Sequence, residues 1–283
     1  MKSQDVAANV AALLRARNPL LWIVTREEAR TESYLFEAAA NAGYLAQFWD
    51  VAAGFTDISG KPLAAFDNAE GDPDAALGVI KDAAGQRNVW VLRDFPTWIT
   101  GPTGPIVLRR LRNLARPDGL PSKSTDDAQA VIVISPTSDV PPELSDVATV
   151  LNWPLPDREE IADILDATIE SLPEEYQAGA VNGSRDAVID AAVGLSGEEA
   201  QATFARSLVD TKTVDPAVVA AEKQRAIAKG GILEWFDPIP GGLEAVGGLD
   251  NYKSWLVSRA AAYSPAAREY GLPAPKGCLV VGV

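Results

Sequence analysis

Histidine is missing from the 283-residue chain, and cysteine and methionine occur once each. Without imidazole there is no side chain whose ordinary pKa lies near neutrality, and the commonest zinc ligand is gone. The lone cysteine, Cys278, excludes an intrachain disulfide. No apolar run approaches the roughly 18 residues that a membrane-spanning helix needs, so no membrane partner is expected. Positive charge is also short. Lys and Arg number 25 against 39 Asp and Glu, a net charge of −14, which disfavours non-specific binding to nucleic-acid phosphates. The stretch from Met1 to Leu14 carries Asp5 and lacks a long apolar core, so it reads as an amphipathic helix and not a signal peptide. A cytoplasmic setting is the expectation.

What is present is ordinary globular composition, 47% apolar and 23% charged, with length for one large or two modest domains. Leu20 to Val24 is apolar throughout, the mark of a strand covered on both faces. Thr25-Arg26-Glu27-Glu28 follows and predicts a capping box, with Thr25 capping a helix to about Ala42 and Glu28 answering the Thr25 amide. A nucleotide-binding domain would place its phosphate loop at this strand-to-helix connection. Here there is no glycine, and Glu27 and Glu28 would repel phosphate, so this first domain is not expected to hold ATP.

Further strands are expected at Tyr44–Trp49, Asn88–Leu92, Ala130–Ile134 and Asp146–Leu151. Asp50 to Gly71 is expected as a loop-rich crossing, and Asp72-Pro73 opens a helix. Asp94 follows the third strand, where it reads either as a relic metal position or as a loop carboxylate. Arg109, Arg110, Arg112 and Arg116 dominate the polar side of a helix over Ile106–Arg116. Two readings stay open for them: a basic patch for a neighbouring subunit or nucleic acid, or a solvated face. Strands alternating with helices predict a three-layer, mostly parallel α/β sheet over 18–153.

Trp153 to Asp157 is expected as a hinge. Beyond it the pattern turns helical, with capping boxes at Asp157/Glu160 and Ser196/Glu199 and a last helix opened by Asp215-Pro216. Ile232 to Gly242, with Trp235 and Phe236, reads as a linker. The final stretch holds Val246-Gly247-Gly248-Leu249-Asp250, then Lys253, then Pro275-Lys276-Gly277. It closes on an apolar run, Cys278 to Val281, expected as a buried strand that meets Gly282. A strand running into a glycine is how a phosphate-binding loop begins, but the lysine and hydroxyl residue of GxxxxGK[ST] are not in the sequence.

These last segments resemble the entry to an AAA+ ATPase core, in particular the AAA+ group first noted as a conserved chloroplast and cyanobacterial reading frame. The resemblance implies a degenerate AAA+/RecA-like core over 1–156 and a helical lid over 157–230. A linker over 231–242 and the beginning of a catalytic AAA+ domain over 243–283 would follow. It implies that Val246, Gly247 and Gly248 line an adenine pocket and that Gly282 starts the phosphate loop. No catalytic residue and no metal ligand is assigned within the chain. ATP and Mg2+ are implied for a full-length protein and not for this stretch alone. A homo-oligomeric, hexameric ring and a protein partner are implied as well, and nucleic acid is left open.

The function expected is that of the N-terminal part of an ATPase that remodels a protein or nucleoprotein substrate. This part would be inactive itself and serve assembly or partner recruitment. The alternative is a non-catalytic scaffold or adaptor. Within the first reading, the chain is expected to continue past Val283 into a glycine and Gly-Lys-Ser/Thr.

Overall fold

The computed structural model describes residues 2–64, 66, 69–83, 85–116, 119–120, 127–229, 239–273, 277–279 and 281. The chain divides into two compact units, Met1–Lys229 and Gly230–Val283.

The first unit opens with α1 (Ser3–Arg15), β1 (Leu20–Val24), α2 (Glu28–Asn41), β2 (Leu45–Asp50) and β3 (Gly54–Thr56). It continues with α3 (Pro73–Asp82), β4 (Asn88–Arg93), α4 (Gly104–Leu114), β5 (Gln129–Ser135) and β6 (Thr149–Asn152). The strands form one sheet in the order β3-β2-β4-β5-β1-β6, parallel except where β3 pairs antiparallel with β2. Side chains alternate across it. Leu20 and Trp22 join the core under α3 and α4, with Leu77, Ile80, Val107 and Leu111. Leu21 and Ile23 join the core under α1 and α2, with Val6, Val10, Leu14 and Leu35. A strand buried on both faces has no polar side to offer, which is why β1 reads as an unbroken apolar run.

Three tryptophans anchor the α3/α4 side. Trp22, Trp49 and Trp90 are fully buried. Each indole N–H still finds an acceptor: Thr137 O at 3.3 Å, Ala69 O at 3.2 Å and Gln129 Oε1 at 2.8 Å. Each ring therefore adds apolar burial without stranding its donor.

The rest of the first unit is helical: α5 (Arg158–Glu170), α6 (Glu174–Gln177), α7 (Arg185–Ala192), α8 (Gly197–Thr211) and α9 (Pro216–Lys229). Ile161, Leu165, Val188, Ile189, Phe204 and Val219 form its separate core. Both capping boxes here have the expected geometry. Asp157 accepts from the Glu159 and Glu160 amides, and Ser196 accepts from the Glu199 amide. Among the described residues of 158–229, extended pairing is confined to the isolated bridges Val181–Val214 and Val193–Leu195.

Two expectations change in this unit. The Thr25/Glu28 box does not form: the Thr25 amide, expected to be answered by Glu28, is bonded to Ser135 O of β5 at 2.8 Å, and Glu27, not Thr25, stands at the N-cap of α2. The Thr25 hydroxyl instead accepts from Glu27 N at 3.0 Å, and the helix starts at Glu28 behind Glu27. The Asp50–Gly71 crossing also contains β3, which folds straight back on β2 with Trp49 opposite Phe55.

The second unit holds a 3-10 turn over Gly242–Ala245, α10 (Asp250–Ala260), a second 3-10 turn over Ala261–Tyr263 and α11 (Pro265–Glu269). Tyr252 stacks on Trp255 with ring centroids 6.0 Å apart, and the Arg259 guanidinium lies over the Trp255 ring. Among its described residues only Ala267 is buried. The expected strand at Cys278–Val281 is not formed at the residues described there. Cys278, Leu279 and Val281 are exposed and unpaired with any strand. A parallel strand exists only against a neighbour, and the described residues of this unit contain no other strand. Gly230 and Gly231, Trp235 and Phe236 of the expected linker, Pro275-Lys276, and Gly282 lie outside the described residues.

Candidate functional site: a carboxylate and arginine clasp at the sheet's carboxyl end

In open α/β sheets ligands bind beyond the carboxyl ends of the strands, where the connections diverge. In this chain that place is filled by its own side chains. Glu27, at the turn from β1 into α2, is buried. Its carboxylate points to the amino end of α8, where Oε1 accepts from Gly197 N at 2.5 Å. A helix amino end presents free N–H groups and partial positive charge, the usual seat of a phosphate. A carboxylate of the chain takes that seat. Glycine suits the close approach at Gly197, since a Cβ there would lie 3.3 Å from Glu27 Oε1, a tight contact.

Arg30, one turn further along α2, binds the other side of Glu27 with Nε at 3.1 Å and Nη2 at 2.6 Å. Its remaining donors reach Pro154 O at 2.5 Å, Ser3 Oγ at 2.8 Å and Glu160 Oε1 at 2.8 Å. Glu160 also accepts from Tyr34 Oη at 2.8 Å, Ser3 Oγ at 3.0 Å and the Asp157 amide at 3.1 Å. The same carboxylate thus completes the α5 capping box and receives the arginine. Burial, and then the hydrogen bond to Glu160, hold the Tyr34 hydroxyl well above its ordinary pKa, so it remains a donor. The Asp157 carboxyl is also desolvated, which pulls the other way. Even so, the Glu160 and Glu159 amides, with Lys2 beside it, hold it below its ordinary value. The segment from Trp153 to Asp157, expected as a hinge, is therefore held at several points. Trp153 N bonds Val24 O at 2.9 Å, and the Trp153 ring packs against Tyr34 with centroids 5.8 Å apart.

A second arginine seals the neighbouring strand ends. Arg93, the last residue of β4, grips Glu32 with Nε at 2.5 Å and Nη2 at 2.9 Å and reaches Asp50 at 3.0 Å. Burial is the largest single influence and lowers the Arg93 pKa, but the bonds and charges of Glu32, Asp50 and Glu28 together outweigh it and the net shift is upward. Glu28, at the edge of this group, is raised by burial and by the Glu32 charge. Asp94 is exposed, with φ of 48°, and starts a 3-10 turn over Phe95–Ile99. Among the described residues no group of three or more His, Cys, Asp or Glu is placed to hold a metal.

At this turn the amino end of α8 is taken by Glu27, no glycine or lysine lies between Thr25 and Glu28, and the Arg30 guanidinium is committed to carboxylates, while Arg26 is exposed. Sequence reasoning found Glu27 and Glu28 and both capping boxes. It missed that Arg30 ties them together, although Glu27 and Arg30 at i and i+3 were a visible pair.

The residues expected to meet adenine lie in the second unit. Gly247 and Gly248 are exposed, and nothing lies within 4 Å of a Cβ built on either. Gly248 and Leu249 adopt φ of +67° and +59° as the backbone turns into α10. Lys253 Nζ donates to Val246 O, and Lys253 N to Leu249 O at 2.9 Å. The turn is therefore braced from α10 while its glycine face stays open, a form that lets a flat group approach the backbone. Gly282, the expected start of a phosphate loop, is outside the described residues.

Comparison with known proteins follows the same division. The family model described as SpoVK-like AAA ATPase, N-terminal domain, matches residues 6–153, and that described as SpoVK-like AAA ATPase, second domain, matches residues 159–230. The chain is 32% identical over 280 residues to an uncharacterized AAA domain-containing protein, ycf46, of Guillardia theta, covering 96% of this chain and 51% of that protein. The ycf46 proteins of Trieres chinensis and Pyropia yezoensis are each 29% identical, with 96% of this chain and 52% of theirs covered. The chain thus spans about half the length of these curated relatives. Among solved structures, C. elegans PCH-2 superposes with a TM-score of 0.44 at 11% identity, over 80% of this chain and 68% of that one.

Proposed function

The chain belongs to the SpoVK-like AAA ATPase family, and from that premise we propose that residues 1–229 are an ATPase-shaped module that does not turn over nucleotide. In this reading the module serves assembly or partner recruitment within a larger ATPase. The observation that carries it is the Glu27 carboxylate on Gly197 N, which closes the sheet against the helical bundle with no nucleotide needed. We take 1–156 as the ATPase-like core, 157–230 as its lid, 231–242 as a linker and 243–283 as the opening of a catalytic domain. Val246, Gly247 and Gly248 would then back the adenine, and Gly282 would begin the phosphate loop. AAA architecture is a nucleotide-binding one, and hydrolysis would belong to the protein as a whole. Its expected form is a cytoplasmic homo-oligomeric ring that remodels a protein or nucleoprotein. Among the described residues no helix is long and apolar enough to cross a membrane.

Titration calorimetry of the chain with Mg-ATP tests the inert reading. The expected result is no binding tighter than about 10 µM, roughly −7 kcal/mol. A tighter complex that weakens when Arg30 or Gly197 is replaced would place nucleotide at the clasp and overturn the proposal.

A further inference from the structure

The strongest unclaimed feature lies on the opposite side of the sheet from α1 and α2. A groove of about 880 Å³ runs between α3 and α4, near the upper end of the usual ligand-cleft range of about 300–1,000 Å³. Leu77 and Leu114 close its floor as buried core residues, and nothing lies within 4 Å of a Cβ built on Gly78. Lys81, Arg109, Arg110 and Arg116 line it against a single carboxylate, Asp82. Arg110 is committed to Asp74, with Nε 2.8 Å from Oδ1 in an ion contact that lacks hydrogen-bond alignment. Lys81, Arg109 and Arg116 are exposed and make no ion pair among the described residues. In a chain of net charge −14, three uncommitted cations around one cleft are a local reversal of sign.

We propose that this groove docks an acidic peptide segment of a partner protein, its carboxylates taken by Lys81, Arg109 and Arg116. Charge complementarity selects the sign of the partner and sets its approach rate. Two features favour a peptide over a nucleic acid. None of the described lining residues is aromatic, so bases find no stacking platform, and the acidic remainder of the chain repels an extended phosphate backbone. A short peptide brings its carboxylates to the exposed cations at the rim without that long backbone.

The inference rests on the recruitment role proposed above and fails separately from it. Tight nucleotide binding at the clasp removes the recruitment role while leaving peptide affinity at the groove as measured. The direct test is fluorescence anisotropy of the full chain with a labelled short peptide of alternating Glu and Leu. A Gln-Leu peptide and an oligothymidylate are the comparison probes. The Glu-Leu peptide is expected to bind saturably, to weaken as salt rises and to lose about tenfold in affinity with Arg109→Glu. Arg116→Gln is expected to give a smaller loss. Lys61→Glu, at an exposed cation elsewhere, makes the same change in net charge and is expected to leave binding intact. Thermal melts that match the parent chain establish that the variants fold. Equal losses from Arg109→Glu and Lys61→Glu would overturn the site. So would tighter, Arg109-dependent binding of the oligothymidylate. A change in sedimentation of the chain alone on Arg109→Glu would also overturn it, by showing that the occupant is a second copy.

Discussion

Two of the chain's turns into helices are built in opposite ways. Thr25 to Glu28, entering α2, has no glycine, and its buried carboxylate is bonded to Arg30 and to Gly197 N. Val246 to Leu249, entering α10, carries two exposed glycines and is bonded to α10 through Lys253 and to Leu243 O of the preceding 3-10 turn. Helix entry is a natural anion and nucleotide position in both. At the first turn Glu27 meets the amino end of α8, and at the second the glycine face is open. Turns of similar place can thus differ in what their side chains leave accessible.

The largest break in this contrast should come from Arg30→Ala. With Arg30 only 16% exposed, Glu27 and Glu160 would be left as buried charges without their partner. The expected loss is about 3–5 kcal/mol in urea unfolding. Arg30→Lys should recover only part of it, because an ammonium cannot supply the planar fork. A loss below about 1 kcal/mol, the scale of an exposed pair, would mean the clasp is ornamental.

Acidification offers a gentler break. Asp157 is held below its ordinary value in the folded chain, so folding favours its charged form. Its contribution is fully present above the ordinary carboxylate pKa and is lost as pH falls through the lowered, folded value. Asp157→Asn, which keeps the cap and removes the charge, should cost about 0.5 kcal/mol near neutrality and flatten the fall in stability below about pH 4. Urea midpoints measured across that range check both parts. An unchanged slope would place the acid sensitivity elsewhere.

The open turn should respond more weakly, and differently at its two glycines. Gly248 has positive φ, so Gly248→Ala should weaken the entry to α10 by about 1–2 kcal/mol. Gly247 is not among the residues with positive φ and has free space around it, so Gly247→Ala should move stability by no more than about 0.5 kcal/mol. Hydrogen exchange at the α10 amides separates the two. Equal effects would show that the open face is not the reason for the pair.

What could be read from the sequence was what is local. The capping boxes at Asp157/Glu160 and Ser196/Glu199 are written within four residues, and both formed as read. The apolar run of β1 announced a strand covered on both faces. The Thr25 cap misled because the competing acceptor, Ser135 O, comes from β5 far along the chain. β3 escaped because three residues carry too little alternation to register. The clasp was hidden for the same reason as Thr25's true partner. Arg30 and Glu27 find Glu160, Pro154 and Gly197 between 124 and 170 residues away. The Cys278–Val281 run shows the converse, since apolar residues alone do not make a strand where no described neighbour pairs with it.

The position of β1 between β5 and β6 also bears on how the chain is made. Leu20 pairs with Val131, and Leu21 with Thr149. On a ribosome adding about 5–20 residues per second, β1 emerges roughly 6–22 s before its first partner strand exists. During that interval Leu20 to Val24 is a strongly apolar segment with both edges open, the kind of surface that nascent-chain chaperones cover and that neighbouring polysome chains can capture. β2 can close back on β3 within a few residues and wait as a hairpin, with β4 soon beside it. The order of synthesis therefore builds the β3 edge first and leaves the β1 and β6 side until last, so the yield of folded protein should depend on translation speed more than its final stability suggests.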